Sequence, residues 1–341
     1  MNGTRPSSAF GSPIGVGTGE MNDLASEQPA WVIGIDLGAS KIALGLVDPQ
    51  NRVIGRRRLP TLAPAGPQAA VARMAAAVAE LRQAAPDERC VAGIGICSPG
   101  PLDHRSGVLI EPPNLTGWRD IPLRQMVADA TGLPVRLEHD AKAAALGEYY
   151  YGAGRGAADM VYIVVGTGVG AAMIIGGELY RGPHNSAGEV GHITIDPAGD
   201  RCACGNVGCV ETFTSGPALA ARYARALASR HAPQAERPEI IHGELVTQRA
   251  AMGDPLALGV LAEAGEALGT AIASLAMLMD VDLYVIGSSV ARCGDLLLEP
   301  ARAAVPRHCF RSVASRVRIV CSELGDDGPI LGCAWLARQL G

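Results

Sequence analysis

Short apolar segments recur along the chain with the spacing that predicts alternating strands and helices. Brief runs rich in Val and Ile, each bounded by glycine or polar residues, predict β-strands. They lie at 32–37, 42–47, 53–59, 91–96, 135–138, 161–165, 171–175, 283–286 and 316–321. Apolar positions with helical spacing predict helices at 67–85, 122–131, 140–150, 256–279 and 329–340.

The first two strands form a hairpin whose polar turn covers residues 38–40. The segment 161–175 repeats this design about 130 residues later, without close sequence similarity, so the repeat is one of architecture. Strands alternate with helices after each hairpin. This order predicts two α/β domains with mixed sheets.

Residues 1–30 differ from the rest of the chain, because they are rich in small and polar residues and lack hydrophobic periodicity. This composition predicts a disordered tail. A secretory signal needs a basic start and an apolar stretch, and this segment has Arg5 as its single basic residue. Met21 is a second candidate for the first residue of the natural protein. The tail is also too short for a helix-turn-helix domain.

The composition narrows the function classes further. The 341 residues are 48% hydrophobic and 18% charged, which is typical of a soluble protein of about two domains. A net charge of −5 provides no basic field for nucleic acid. We find no apolar run that approaches the ~20 residues needed to span a membrane, so we expect no membrane-spanning segment.

Three of the nine cysteines, together with one histidine, suggest a metal site. Cys202, Cys204 and Cys209 fall within eight positions, and His192 precedes them. A His-Cys₃ set suits zinc, and four protein ligands would close its shell and make it structural. Reduced thiols without metal are the alternative. The other six cysteines are expected to be buried free thiols of a cytoplasmic protein: Cys90, Cys97, Cys293, Cys309, Cys321 and Cys333.

Two glycine-containing hairpin turns are candidates for binding phosphate. At 36–41 (DLGASK), Gly38 lets backbone N–H groups approach an anion, Ser40 and Lys41 add donors, and Asp36 can hold a hydrated magnesium ion. At 166–170 (GTGVG) a strand follows, so a dinucleotide fingerprint, which needs a helix, is rejected. Together the hairpins predict a phosphate clamp across a cleft. Ordinary tight turns are the alternative for both.

Asp140 follows a predicted strand and begins a predicted helix. Because ligands of α/β sheets bind at the carboxyl ends of strands, this carboxylate can act as a base that faces the cleft. It can also serve merely as a helix cap. Position alone favours the cap.

Taken together, these residues resemble the ROK family (repressors, open reading frames and sugar kinases). The family signature E-x-G-H, followed by C-x-C-G-x-x-G-C-x-E, is matched within 189–211. Other family motifs occur in order from about residue 32 to the C-terminus: D-x-G-x-x-K at 36–41, SPG at 98–100, PNL at 113–115, Asp140 and GTGVG at 166–170.

The resemblance implies an actin-like, ribonuclease H-like ATPase fold of the α/β class, with two lobes around a central cleft. The expected first lobe covers 31–140 and is joined by the C-terminal helix at 328–341. The second lobe covers 141–327 and contains the zinc-binding loop.

The resemblance also implies roles for individual residues. Asp140 matches the catalytic base that takes the proton from the attacking sugar hydroxyl. The sugar-binding positions are Gly100, Asn114, His139, Asp140, Glu189, His192 and Glu211, and the zinc ligands are His192, Cys202, Cys204 and Cys209. ATP, with magnesium, is held at Asp36, Gly38, Ser40, Lys41, Gly166, Thr167, Gly168 and Gly170, and Gly287 borders the adenosine.

Several positions depart from the common family pattern. Ala39-Ser40 replaces Gly-Thr, His139 and Lys142 each replace an asparagine, and the turn at 287–290 reads GSSV instead of a glycine triplet. Ser40 keeps a hydroxyl for phosphate. The change at His139 leaves the identity of the sugar open.

The function implied is an ATP-dependent hexose kinase of cytoplasmic carbohydrate metabolism, with glucokinase of glycolysis as the first choice. Kinases for fructose, mannose, N-acetylmannosamine or N-acetylglucosamine share the motifs. A sugar-sensing transcriptional regulator and a zinc-ribbon interaction module are the competing classes. The sequence leaves open ATP or polyphosphate as donor, and the family implies a homodimer or homotetramer without nucleic-acid or membrane partners.

Overall fold

A five-stranded mixed sheet forms the frame of the first half of the chain. The computed structural model describes residues 30–229 and 240–340, so the predicted tail lies outside the described residues except for Ala30. The elements are β1 (Trp31–Leu37), β2 (Lys41–Val47), β3 (Val53–Pro60), α1 (Pro67–Arg82), β4 (Val91–Ser98), β5 (Leu102–Asp103), β6 (Val108–Leu109), α2 (Leu123–Thr131) and β7 (Val135–His139). The sheet order is β3-β2-β1-β4-β7, and β5 pairs with β6 separately.

The second half contains a sheet with the same plan. Its elements are α3 (Asp140–Tyr151), β8 (Met160–Val165), β9 (Val169–Ile175), β10 (Glu178–Tyr180), α4 (Glu211–Thr214), α5 (Gly216–Ser229), α6 (Gly243–Ala251), α7 (Pro255–Met279), β11 (Leu283–Gly287), α8 (Asp295–His308), α9 (Arg311–Ala314), β12 (Arg318–Cys321) and α10 (Gly328–Arg338). The order is β10-β9-β8-β11-β12. In both sheets an antiparallel hairpin is extended by parallel strands, which confirms the predicted architectural repeat.

The burial of each strand follows its place in the sheet. In β1, Val32 and Ile33 are both fully buried although they point to opposite faces, because helices cover both sides of this central strand. At the edge, β3 exposes Arg56, Arg57 and Arg58. Charged residues on an edge strand prevent pairing with other chains, and here they also border the cleft described below.

Two helices cross between the halves. The helix α3 follows the first sheet in sequence but packs on the second, where Leu146 joins a cluster with Tyr162. Conversely, α10 follows the second sheet but packs on the first, where Ala334 joins a cluster with Val32. A Cβ built on Gly332 would lie 1.7 Å from the Ala143 carbonyl oxygen, so only glycine allows this close crossing.

The helix α7 corrects one expectation from the sequence. By length and composition it could cross a membrane, so the statement that no apolar run approaches such a length was wrong. However, 61% of its apolar window is buried inside the protein. It packs against α8 and contributes Leu261, Leu268 and Ile272 to the core of the second half. Its apolar composition is therefore that of a core helix.

The cysteines correct another expectation. All nine lie within the described ranges, and none of them forms a disulfide. Cys97 and Cys333 are buried as predicted, but Cys90 and Cys321 are exposed, and Cys293 and Cys309 are half-buried. The apolar stretches around the exposed pair misled the prediction, because Cys90 precedes a strand and Cys321 ends one at the cleft.

A buried carboxylate fixes the start of α10 relative to α3. Glu148 is completely buried and accepts hydrogen bonds from the Leu324 N–H (2.9 Å), the Ala153 N–H (2.9 Å) and the Ser322 hydroxyl. Buried acceptors of this kind stabilise a fold only while every donor is matched.

The substitution Glu148→Gln should therefore lower the free energy of unfolding by about 2–3 kcal/mol, because the new amide NH₂ would face backbone N–H donors. Urea denaturation measures the effect, with the exposed Glu178→Gln as a matched control. Equal denaturation midpoints for the two variants would contradict this role of Glu148.

Candidate functional site

A cleft lies where the two halves meet. Its central cavity has a volume of about 510 Å³ and is lined by the β1–β2 hairpin, the first residues of α3 and α10, and the turn after β11. Asp36, Lys41, Asp140, Gly287 and Ser288 all line it, so residues from three separate sequence motifs meet in one place. The structure thereby brings the predicted base and the first predicted phosphate hairpin together.

Asp140 is the first residue of α3, and His139 is its N-cap residue without a side-chain cap bond. One carboxylate oxygen, Oδ1, accepts a hydrogen bond from the Ala141 N–H (2.6 Å) and lies 3.0 Å from His139 Nδ1. No hydrogen bond to the other oxygen, Oδ2, is formed within the described residues. The carboxylate is 42% exposed, so this oxygen can be reached from the cleft.

Asp36, the penultimate residue of β1, lies near this base. Burial raises the pKa of Asp36 to about 6, and the nearby negative charge of Asp140 adds to the effect. The Cys97 thiol donates to Asp36 Oδ1 (3.5 Å), and Lys41 is the nearby cation that lowers the pKa. A buried carboxylate with incomplete charge compensation fits a hydrated cation, and oxygen ligands with water are what magnesium prefers.

Two of the predicted sugar positions of the first half, Gly100 and His139, lie together. A Cβ built on Gly100 would lie 2.9 Å from His139 Cδ2, so the imidazole fills the space beside this glycine. Asn114 lies in an exposed turn. Asp140 lines the central cavity, whereas the other predicted sugar positions do not: Gly100, Asn114, His139, Glu189, His192 and Glu211.

The second glycine hairpin is tied to a predicted sugar residue. The Glu211 carboxylate, at the start of α4, accepts the Val169 N–H through Oε2 (2.8 Å). The turn is closed by the Gly166 N–H, which donates to the Gly168 carbonyl (2.9 Å). Strand β9 begins at Val169, two residues earlier than predicted, so Gly170 belongs to the strand. The structure thus links Glu211 to the hairpin directly.

A second cavity opens beyond this hairpin. It has a volume of about 820 Å³ and lies between α5, α6 and the turn after β11, with Gly166, Thr167 and Ser289 in its wall. This volume falls in the usual range of small-molecule sites. The contribution of α6, for example His242 and Gln248, was missed from the sequence, because no motif marks that segment.

The cysteine cluster is assembled as predicted. The ligand atoms of His192, Cys202, Cys204 and Cys209 all lie within 4.8 Å of one another. His192 Nδ1 is 3.7 Å from Cys202 Sγ, and Cys204 Sγ is 3.7 Å from Cys209 Sγ. Ligand atoms around a tetrahedral zinc ion at ordinary bond lengths are separated by about 3.5–3.8 Å, so the four residues fit zinc.

The loop that leads to Glu189 is fixed by two buried charges that sequence reasoning did not assign. Glu138, which is 1% exposed, accepts from both Arg181 Nε (3.0 Å) and Nη2 (2.7 Å). Lys142 Nζ donates to the Asn185 carbonyl (2.8 Å) and Oδ1 (2.7 Å), and burial lowers the pKa of Lys142. The departure at Lys142 therefore has a structural partner in this chain.

Two related α/β halves around a cleft, with one glycine hairpin lining the cleft and the other lining the neighbouring cavity, define the actin-like ATPase class of fold. Within this class the chain belongs to the ROK family, whose sequence model matches residues 32–340. Both the fold class and the family resemblance are thereby confirmed.

Individual relatives include enzymes and regulators. The chain is 35% identical over 319 residues to a glucokinase of Streptomyces coelicolor, covering 90% of this chain and 97% of that protein. It is 34% identical over 247 residues to a xylose repressor of Caldicellulosiruptor bescii, covering 71% and 61%. Among solved structures it resembles a ROK family glucokinase from Streptomyces griseus in complex with glucose and AMPPNP. That match has a TM-score of 0.76 and 34% identity, and it covers 91% of this chain and 99% of that one.

Proposed function

We propose that this protein is an ATP-dependent hexose kinase, and specifically a glucokinase that phosphorylates the 6-hydroxyl of glucose. The observation that carries the proposal is the position of Asp140, whose carboxylate faces a cavity bordered by the first glycine hairpin and separated from a second cavity by Arg292, which lines both. The relatives support it, since both a curated relative and a solved structure are glucokinases.

In this proposal Asp140 is the general base. Its Oδ1 is occupied by the Ala141 N–H and the His139 imidazole, so Oδ2 receives the proton of the sugar hydroxyl as that oxygen attacks the γ-phosphorus. The bond from the γ-phosphorus to the bridging oxygen then breaks, and ADP leaves. Phosphoryl transfer depends mainly on positioning and charge stabilisation, so one aligned carboxylate is enough as the acid–base group of the protein.

Asp36 would hold magnesium through water, and the ion would offset the charge of the phosphates. The proposed phosphate contacts are Gly38, Ser40 and Lys41 in the first hairpin and Gly166, Thr167, Gly168 and Gly170 around the second. The cavity beside α5 and α6 would take the adenosine, with Gly287 at the border between the two cavities.

The zinc proposed at His192, Cys202, Cys204 and Cys209 is structural. His192 Nδ1 faces the thiols, which leaves Nε2 to donate to a sugar hydroxyl. Gly100, Asn114, His139, Glu189 and Glu211 complete the proposed sugar contacts. Because Glu211 also holds the Val169 N–H, sugar binding and the phosphate hairpin are connected through one carboxylate.

We further propose two lobes, 31–140 with 328–341 and 141–327, that close on the sugar and exclude water. The free thiols agree with a cytoplasmic enzyme of glycolysis. A homodimer or homotetramer without nucleic-acid or membrane partners completes the proposal.

A panel of hexoses tests the function. Purified protein with ATP and magnesium should release ADP with glucose at a kcat/KM at least tenfold above fructose, mannose, N-acetylmannosamine and N-acetylglucosamine, because unmatched hydroxyls leave buried polar groups unpaired. A coupled ADP assay gives the rates, and polyphosphate replaces ATP in a parallel series. If the protein prefers another hexose, that hexose replaces glucose as the proposed substrate. Sugar binding without turnover of any hexose would overturn the kinase and favour a sugar-sensing regulator.

A further inference from the structure

The turn after β11 carries an unusual backbone conformation. Ser288 has φ +80°, in the left-handed region that glycine adopts without strain and other residues rarely occupy. The neighbouring Ser289 has an ordinary φ of −65°. Because Ser288 stands where a glycine would relieve strain, its side chain requires an explanation.

The side chain of Ser288 is directed at the phosphate hairpin. A Cβ built on Gly166 would lie only 2.7 Å from Ser288 Oγ, so the hydroxyl occupies the space that this glycine leaves. Ser288 is exposed, and its hydroxyl forms no hydrogen bond with another protein atom in the ranges 30–229 and 240–340. The structure therefore holds an unpaired donor beside the hairpin.

The two serines lie on opposite sides of the boundary between the cavities. Ser288 lines the central cavity with Asp140 and Lys41, whereas Ser289 lines the cavity beside α5 and α6. Arg292 also lines both cavities, so the two adjoin at this turn, and a ligand that extends from one into the other lies beside Ser288. The phosphate chain of a nucleotide has this extent, and its oxygens accept strong hydrogen bonds from hydroxyl donors.

We propose that the Ser288 hydroxyl is a ligand of the α- or β-phosphate of the nucleotide and that the strained backbone is retained for this contact. The inference rests on the proposed kinase function, because it takes the adenosine to lie beside α6 and the γ-phosphate near Asp140. In the proposed kinase the backbone of this turn already borders the nucleotide. The serine hydroxyl adds a specific phosphate contact that a glycine could not supply.

Two variants distinguish the effect of the Ser288 hydroxyl from the effect of the backbone strain at this residue. Ser288→Ala removes the hydroxyl but keeps a side chain at φ +80°, whereas Ser288→Gly removes both. Both variants should weaken ADP binding by about tenfold while leaving adenosine binding unchanged, because the lost contact is to phosphate. Ser288→Gly should also melt about 1–3 °C above Ser288→Ala, since glycine accepts this backbone.

Calorimetric titration with ADP and with adenosine measures the two affinities, and thermal unfolding measures the strain. The control is Asp280→Gly, which introduces glycine at another left-handed residue (φ +54°) on the exposed end of α7 and should leave ADP affinity unchanged.

If Ser288→Ala binds ADP as tightly as the wild type does, the inference is overturned, whatever the melting temperatures show. If that variant is unaffected while the wild type phosphorylates glucose, the kinase proposal stands and the hydroxyl has no part in it. If ADP affinity depends on Ser288 but no hexose is turned over, the phosphate contact stands and the kinase proposal fails.

Discussion

Replacing Asp140 with asparagine should lower kcat for glucose phosphorylation by about 10²–10⁴-fold, the range that general-base catalysis contributes. An amide cannot accept the hydroxyl proton at neutral pH. The change is nearly isosteric, and an amide oxygen can still accept the Ala141 N–H and approach the His139 imidazole. The fold and the sugar pocket should therefore persist.

Steady-state kinetics and sugar titration together test this expectation. The Kd for glucose should stay within about threefold of the wild type while kcat collapses, because the loss is confined to the transition state. Asp129→Asn is the matched control, since Asp129 is an exposed aspartate on α2 whose carboxylate accepts a hydrogen bond from the Gln125 side chain (2.7 Å). Near-normal turnover in Asp140→Asn would remove Asp140 from the role of base.

Replacing Cys204 with serine should remove zinc from the protein and lower kcat/KM for glucose by about 10–100-fold. The Cys204 and Cys209 sulfurs lie 3.7 Å apart, so losing one thiolate opens a closed four-ligand shell. The loop of the cluster would then lose the metal proposed to order it. His192 connects that loop to the proposed sugar pocket, so the effect should appear mainly in the KM for sugar, with little change in the KM for ATP.

Metal analysis should find about one zinc ion per wild-type chain and almost none in Cys204→Ser. The control is Cys90→Ser, which alters an exposed cysteine in the first half of the chain, far from the cluster in sequence. It should keep both zinc and activity. Full zinc occupancy in Cys204→Ser, or a wild-type protein purified without any metal, would contradict the proposed ligands.

Long periodic segments made most of the fold predictable. The buried central strands, the two hairpins and the long α7 were predicted from local patterns, because each of these segments carries its own apolar spacing. The short elements β5, β6, β10, α4, α6 and α9 were missed, because they contain few residues and contacts with distant parts of the chain decide their conformation. Two 14-residue helices were missed as well: α8 contains Pro300 and Pro306, which predict a break, and α5 was overlooked although its apolar positions have helical spacing.

The candidate site also contains features that a local sequence pattern predicts and features that it cannot predict. The cysteine cluster was predicted because its three thiols are close in sequence, and the structure brings His192 to them. The hydrogen bond between Glu211 and Val169 joins residues 42 positions apart, which no local pattern could indicate. Likewise, the cavity beside α6 is formed by separate segments without a motif. The roles of Asp36 and Asp140 remain predictions, although their shared cavity agrees with them.

The crossing of α3 and α10 has a consequence for how the chain folds. Each sheet is covered on one face by a helix that is continuous in sequence with the other sheet, and Gly332 lets the two helices touch. Neither half can bury its apolar sheet face without the other, so the two should fold as one cooperative unit. The same exchange directs the N-termini of both helices into the cleft, where their partial positive charges favour anions before any ligand arrives.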